Sequence, residues 1–361
     1  MITRTSSEPS CTISSPVESV VVVESNNSSP PICSNIHTPF IDDIIFEILH
    51  FLPSSWIIRV CMKISKQWRQ VSFQIPLSLA FKSNHFKQVR ESIKFLGNCE
   101  CLTNLTSLDL SFNQIDNEGA KDIAMSECLK NLISLNLESN SIGNEGVKYI
   151  STSDYLKNLT CLNLKYNRID NEGIQYIATS EFLKKLTFLN LFDNGIGNEG
   201  VKYIAASEGL KNLTTLNLVS NRIDNEGFKH IATSEYLKNL TSLNLINNRV
   251  GNEGVKYIST SECFNNLTCL NLRHNEIGCE GVKYISASEC LKNLTSLNLG
   301  FNQIGNEGVK YIAASECLKN LTTLNLGSNR IGNEGFKYLT TSEYLKNLTS
   351  LDLIHNPINK R

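Results

Sequence analysis

Along most of the chain the apolar residues follow one pattern that recurs every 27 residues. Leu132, Leu135, Leu137 and Ile142 mark one copy, with Asn140 between the last two. Leu135 and Leu137 are two apart, so a strand places them on one side and Ser134, Asn136 and Glu138 on the other. The asparagine falls where the chain must turn. A buried amide there can satisfy backbone groups that the turn leaves unpaired. From Gly143 to Ile150 the period changes. Asn144 and Glu145 suit the start of a helix, and Val147 and Ile150 share a face at helical spacing. Each unit therefore predicts strand, turn, helix and return. The asparagine register runs without a gap through Asn113, Asn140, Asn167, Asn194, Asn221, Asn248, Asn275, Asn302, Asn329 and Asn356. One unit leaves its apolar layer open on both sides, so the units must stack. Strands about 4.8 Å apart against wider helices bend such a stack with the strands inside.

The phrase Leu132-x-x-Leu135-x-Leu137-x-x-Asn140-x-Ile142 resembles the leucine-rich repeat. Glycine six residues after each asparagine (Gly119, Gly146, Gly173) makes the array similar to the ribonuclease-inhibitor-like class. The resemblance implies an α/β fold: a right-handed solenoid, curved as a horseshoe arc, with parallel strands on the concave face and helices on the convex face. It covers residues 99–361. Residues 76–98 contain a degenerate copy, Leu79-Ala80-Phe81, and read as a capping repeat that shields the end of the core.

The first part of the chain has a different pattern. Residues 1–35 hold ten serines and four prolines and few large apolar groups, a composition expected to stay disordered. Residues 36–75 are apolar enough for a small all-helical domain. Asp42 and Asp43 precede a helix that is apolar on nearly every side and ends at Pro53, and a second helix runs from about Trp56 to Gln70. So much apolar surface on about forty residues requires a partner, the array or another chain. Phe40-Ile41-Asp42-Asp43-Ile44-Ile45-Phe46-Glu47-Ile48-Leu49-His50-Phe51-Leu52-Pro53, followed by Ile64-Ser65-Lys66-Gln67-Trp68-Arg69, resembles the F-box. That resemblance implies docking on a Skp-type adaptor of an SCF-type cullin–RING ubiquitin ligase, with the repeats capturing the substrate protein. The implied adaptor contacts are Ile41, Ile44, Ile45, Ile48, Leu49, Leu52, Pro53 and Trp68.

Composition narrows the alternatives. A formal net charge of −1 lacks the dense positive surface that nucleic acid requires, so no nucleic-acid partner is expected. No apolar run is long enough to span a membrane, and Val20 to Val23 is too short for the core of a signal peptide. The twelve cysteines have neither paired nor metal-ligand spacing, and several recur in register as small apolar residues. These features point to the cytoplasm or nucleus. The six histidines have no metal-ligand spacing either, so no metal, cofactor or catalytic residue is expected and the protein is read as a non-enzyme. Gly195-Ile196-Gly197-Asn198-Glu199-Gly200 matches a dinucleotide fingerprint, but two of its glycines belong to the repeat and no ribose-binding acid follows. The recurrent Asn-Leu-Thr, as at Asn158, is formally a glycosylation acceptor but falls at each strand entry. The lysine stripe Lys148, Lys202, Lys256, Lys283 and Lys310 pairs with glutamates three residues earlier as a solvated helix face.

Comparing the units with one another isolates the candidate site. The framework barely changes, whereas the last outward strand position and its successor vary. Glu138, Lys165, Phe192, Val219, Ile246 and Arg273 share the first of these, and Tyr166, His274 and Phe301 the second. Phe192, Val219 and Ile246 are consecutive and expected to form an exposed apolar strip between charged and aromatic flanks, the composition of a protein interface. Beside the ligase receptor stand two further readings: an interaction scaffold or inhibitor without a ligase link, and a GTPase-activating regulator.

Overall fold

The structure is a computed structural model that describes residue 45 and residues 70–72, 76–81 and 102–359. Among the described residues eleven strands form one parallel sheet in strict chain order, from β1 (Leu77–Ala80) and β2 (Leu105–Asp109) to β11 (Ser350–Asp352). Between them β3 (Ser134–Asn136), β4 (Cys161–Asn163), β5 (Phe188–Asn190), β6 (Thr215–Asn217), β7 (Ser242–Asn244), β8 (Cys269–Asn271), β9 (Ser296–Asn298) and β10 (Thr323–Asn325) repeat one register. Leu135 lies between Leu108 and Leu162, and its equivalents pair likewise along the sheet. From β2 onward each strand is followed by a helix, as α1 (Asn117–Ala124), α2 (Gly143–Thr152), α3 (Asn171–Ala178) and α4 (Asn198–Ala206) show, except that β11 is the last described element. The molecule is a solenoid with strands on one face and helices on the other.

Stacking holds because the leucines and isoleucines of neighbouring units close one continuous core, as at Leu135, Leu137, Ile142, Val147 and Ile150, all buried. Three polar ladders run beside it. The turn asparagines from Asn113 to Asn329 are buried as expected, and each serves two units. Asn140 Oδ1 accepts the N–H groups of Asn113 and Ile115 in the preceding unit, while its Nδ2 donates to the carbonyls of Leu110 and Leu137. A serine ladder ties the return segments to the helix before: Ser234 Oγ donates to Ala205 O and Ser315 Oγ to Ser286 O. The Asn-Leu-Thr asparagines form the third, with Asn158 Nδ2 on Lys130 O and Asn212 Nδ2 on Lys184 O. Their recurrence is thus accounted for by inter-unit bonding.

Helix starts differ from the simple expectation. Asp116, Asp170 and Asp224 cap their own helices. Where glycine replaces the aspartate, the preceding unit can supply the cap: Asn171 Oδ1 accepts the N–H groups of Gly197 and Gly200. Asn252 and Asn306 do the same three and five units later. The register glycine is required by this approach, since a Cβ on Gly200 would lie 2.7 Å from that oxygen. The remaining glycines, Gly143, Gly251 and Gly305, open their helices with φ of 61 to 65°. On the helix face Lys148, Lys202 and Lys310 pair with Glu145, Glu199 and Glu307 as the spacing predicts. Lys148 also lies over the ring of Tyr176 in the next unit.

Of the F-box-like stretch, Ile45 is described: it is helical, 4% exposed and part of the same core as Val71 and Leu77. Ile41, Ile44, Ile48, Leu49, Leu52, Pro53 and Trp68 lie outside the described residues, as do residues 1–35 and residues 82–98 of the capping repeat.

Candidate functional site

The strand face presents parallel columns of side chains about 4.8 Å apart, one per unit. Its central column is asparagine, Asn136 through Asn325, with aspartate at both ends, Asp109 and Asp352. Each side-chain oxygen accepts the N–H two residues ahead, as Asn190 does from Phe192 and Asn217 from Val219, at 3.1 Å in both. This local turn fixes where the next column sits. The invariance of asparagine at that strand position is the sequence signal for it.

The next column is the variable one, and its middle forms a cluster. Glu138 Oε1 and Lys165 Nζ are 2.9 Å apart, both side chains largely shielded. The Lys165 ammonium sits 4.7 Å from the ring centre of Phe192 and 5.1 Å from that of Tyr166. Those two rings are 4.9 Å apart and tilted. Three units on, the Arg273 guanidinium stacks 4.4 Å over Phe301. Cations held over aromatic faces are each worth about 0.5–2 kcal/mol and keep long side chains in one place.

Between these groups the structure corrects the expected exposed strip. Val219 is only 7% exposed, and Phe192 and Ile246 are half-buried. A valine flanked at one strand spacing by two larger side chains sinks between them, so the strip is a depression. The exposed apolar groups lie one residue later, at the rim: Tyr166 at 40%, Phe301 at 44% and Phe112 at 53%. These rim residues, with His274, have φ between 55 and 59°. Left-handed backbone under an aromatic side chain is strained. Here the ladder holds it, since Tyr166 N–H donates to Phe192 O and Phe301 N–H to Gly327 O in the following unit. Next to Tyr166 a hollow of about 500 Å³ opens at the turn edge, lined by Ser139, Arg168, Asp193 and Gly195 among others.

The structure thus brings Glu138, Lys165, Tyr166 and Phe192 together, places Arg273 with Phe301, and leaves His274 exposed on the rim beside them. Reasoning from the variable column missed Arg168, Arg222 and Arg249, exposed at the turn edge. The signal was the position after the turn asparagine, which is arginine in several units.

Other chemistry is less well placed. The N–H groups of Gly197 and Gly200, which a dinucleotide phosphate would need, already donate to Asn171. Among the described residues no group of three His, Cys, Asp or Glu side chains could hold a metal ion. No described helix is long and apolar enough to cross a membrane. Cys263 and Cys290 are buried, and desolvation pushes the Cys290 thiol up to about 12. Such a thiol is a poor nucleophile.

A family model described as Leucine Rich repeat matches residues 101–124, 128–151, 155–178, 182–205, 209–232, 236–259, 265–286, 290–313 and 317–339. No curated protein matches the chain. Among solved structures, an internalin from Listeria monocytogenes is similar at 22% identity and TM-score 0.51, over 85% of this chain and 89% of that one. A leucine-rich repeat protein from Leptospira interrogans is 23% identical over 82% of this chain and 76% of its own, at TM-score 0.44. A TDR receptor is 20% identical over 73% of this chain and 45% of its own, at TM-score 0.42. At such identities the internalin likeness speaks for the fold alone.

Proposed function

The chain belongs to the Leucine Rich repeat family, and from that premise we propose that it captures a protein on its strand face and presents it to an SCF-type ubiquitin ligase. The observation carrying the capture step is the preassembled Glu138–Lys165–Tyr166–Phe192 cluster facing the Arg273–Phe301 pair across the Val219 depression. Aromatic and cationic side chains that are already immobilised lose little freedom on binding, which is what makes interface anchors effective. The ligase step is supported by the F-box-like residues 40–53 and 64–69. In this reading a Skp-type adaptor docks on the F-box-like residues, while Ile45 lies in the chain's own core. The cullin complex supplies the chemistry, and this chain contributes position alone.

The burial of Ile45 in one core with Val71 and Leu77 also favours a second reading, in which residues 36–75 pack on the array and the protein is a scaffold or inhibitor. A pull-down of the full chain with a Skp-type adaptor separates the two. Retention of the adaptor, lost on Leu49→Asp, supports the ligase receptor. Absence of binding in both chains removes that reading and leaves the scaffold.

A further inference from the structure

Charge is distributed unevenly along the edge where the strands turn. The position after the turn asparagine holds Arg168, Arg222 and Arg249, which follow β4, β6 and β7. All three are exposed, and none forms an ion pair with a described residue. Arg168 and Arg222 have φ of 58°, a left-handed backbone that arginine enters at a cost. Glycine, which enters it freely, stands instead at Gly195, where the backbone is not left-handed. Backbone geometry therefore gives no reason for arginine at these turns. The carboxylates nearby are mostly committed. Asp170 and Asp224 sit at helix N-termini, each accepting a helix N–H and an asparagine amide. Asp193 is an exposed acid inside the row, and the exposed Glu276, one strand beyond Arg249, closes it. Three guanidinium groups thus share the row with one uncommitted carboxylate.

We propose that this edge docks an acidic stretch of the captured protein, with aspartates or glutamates seated on Arg168, Arg222 and Arg249. The inference rests on the strand face being the capture face, and it gives the partner a charge. A planar guanidinium takes a carboxylate through two parallel hydrogen bonds, which suits exposed arginines to this role better than lysines. Arg168 to Arg222 is two strand steps, roughly 10 Å, and Arg222 to Arg249 one more, roughly 5 Å, at about 4.8 Å per strand. A run of about five acidic residues lying along the edge covers that distance at about 3.3 Å per residue. The row has one gap, at Gly195, and the hollow of about 500 Å³ lies there. Tyr166 lines the same hollow as Arg168, so the charged row is continuous with the aromatic rim. One partner can therefore engage both, its acids on the row and its apolar groups on the rim.

Fluorescence anisotropy tests this, with a labelled peptide of about ten glutamates titrated with the full chain at about 0.1 M salt, where distant charges are screened. Arg168→Gln with Arg222→Gln and Arg249→Gln is expected to weaken binding at least roughly tenfold. Lys148→Gln with Lys202→Gln and Lys310→Gln removes the same charge from the helix face and should change binding less than roughly twofold. Gly195→Arg closes the gap and should tighten binding at least roughly threefold. Its Cβ would meet nothing nearer than 3.5 Å, and it would stand beside Asp170 as Arg249 stands beside Asp224. Equal weakening by the two triple variants, or no tightening by Gly195→Arg, overturns the proposal. Tighter binding of an oligothymidylate of equal charge through the same arginines also overturns it. If the peptide fails to bind while Tyr166→Ala with Phe301→Ala still lowers partner recovery, capture at this face stands and the acidic occupant alone is excluded.

Discussion

Asn221 offers a sharp test of how the array is held together. It is fully buried, and its side chain makes four hydrogen bonds. Oδ1 accepts the N–H groups of Asn194 at 3.2 Å and Ile196 at 3.3 Å, and Nδ2 donates to the carbonyls of Leu191 at 2.8 Å and Val219 at 3.1 Å. Asn221→Ala does not affect these four equally. Leu191 O keeps the Nδ2 of Asn194, and Val219 O keeps the N–H of Asp193. The N–H groups of Asn194 and Ile196, both buried, lose their acceptor. Each orphaned buried donor costs about 1–3 kcal/mol, so the expected loss is about 2–6 kcal/mol. Asn217→Ala is the control. It has the same residue type in the same unit, is half-buried, and accepts one N–H, that of Val219. Its loss should be about 1 kcal/mol, because one donor rather than two is orphaned and the removed side chain is only half-buried. Urea titration followed by circular dichroism gives both values, provided the slope with urea is unchanged between chains. Because repeat arrays can unfold in parts, hydrogen exchange should also place the weakening at the two units joined by Asn221. Equal losses for the two variants would refute the claim that the turn asparagines couple neighbouring units.

Other substitutions separate binding from folding. Tyr166→Ala with Phe301→Ala, both exposed at the rim, should lower partner recovery in a pull-down by roughly tenfold or more while moving the unfolding midpoint little. Val219→Asp should instead destabilise by about 2–4 kcal/mol in urea, because it places a carboxylate between Phe192 and Ile246. Gly200→Ala should cost about 1–3 kcal/mol in a thermal melt, since its Cβ would meet Asn171 Oδ1 at 2.7 Å and Ile196 Cγ2 at 2.8 Å. In the background of Asn171→Ala that cost should shrink. Alkylation of the native chain near pH 8, mapped by mass spectrometry, should spare Cys263 and Cys290, both buried with thiols pushed up by desolvation, until urea exposes them.

The repeat was legible because its apolar spacing has a single solution. Leu135 and Leu137 alternate, Asn140 turns the chain and Val147 and Ile150 share a helix face, and the structure places each accordingly. What remained hidden depends on the neighbouring unit. Asn171 looks from sequence like the first residue of its own helix, yet its oxygen caps the helix of the next unit, because Gly197 has no side chain to do so. Asp170 and Asp224, by contrast, were readable as caps, since each bonds within its own first turn. Val219 illustrates the same limit at the site. Strand alternation places it outward, but its burial depends on the size of Phe192 and Ile246 one strand away on either side. Alternation assigns a face, and the lateral neighbours decide exposure.

The same physics explains why specificity concentrates where it does. A framework residue such as Asn140, Ser234 or Gly200 is engaged by its own unit and by another, so any substitution is felt in both. The rim and the variable column are engaged mainly through backbone groups: Tyr166, His274 and Phe301 each donate an N–H to the following unit, whatever their side chain. Tyrosine, histidine, phenylalanine, serine, aspartate and asparagine all occupy that left-handed position in different units, because the ladder holds the backbone for each. Substitution at the rim changes the surface without loosening the stack, whereas a buried member of the variable column such as Val219 is still felt by its neighbours. Among the described residues the rim and the adjoining arginines are therefore where side chains can vary at little cost to the array. The Lys165–Tyr166–Phe192 and Arg273–Phe301 groups are where such variation has assembled side chains of different units into fixed contacts.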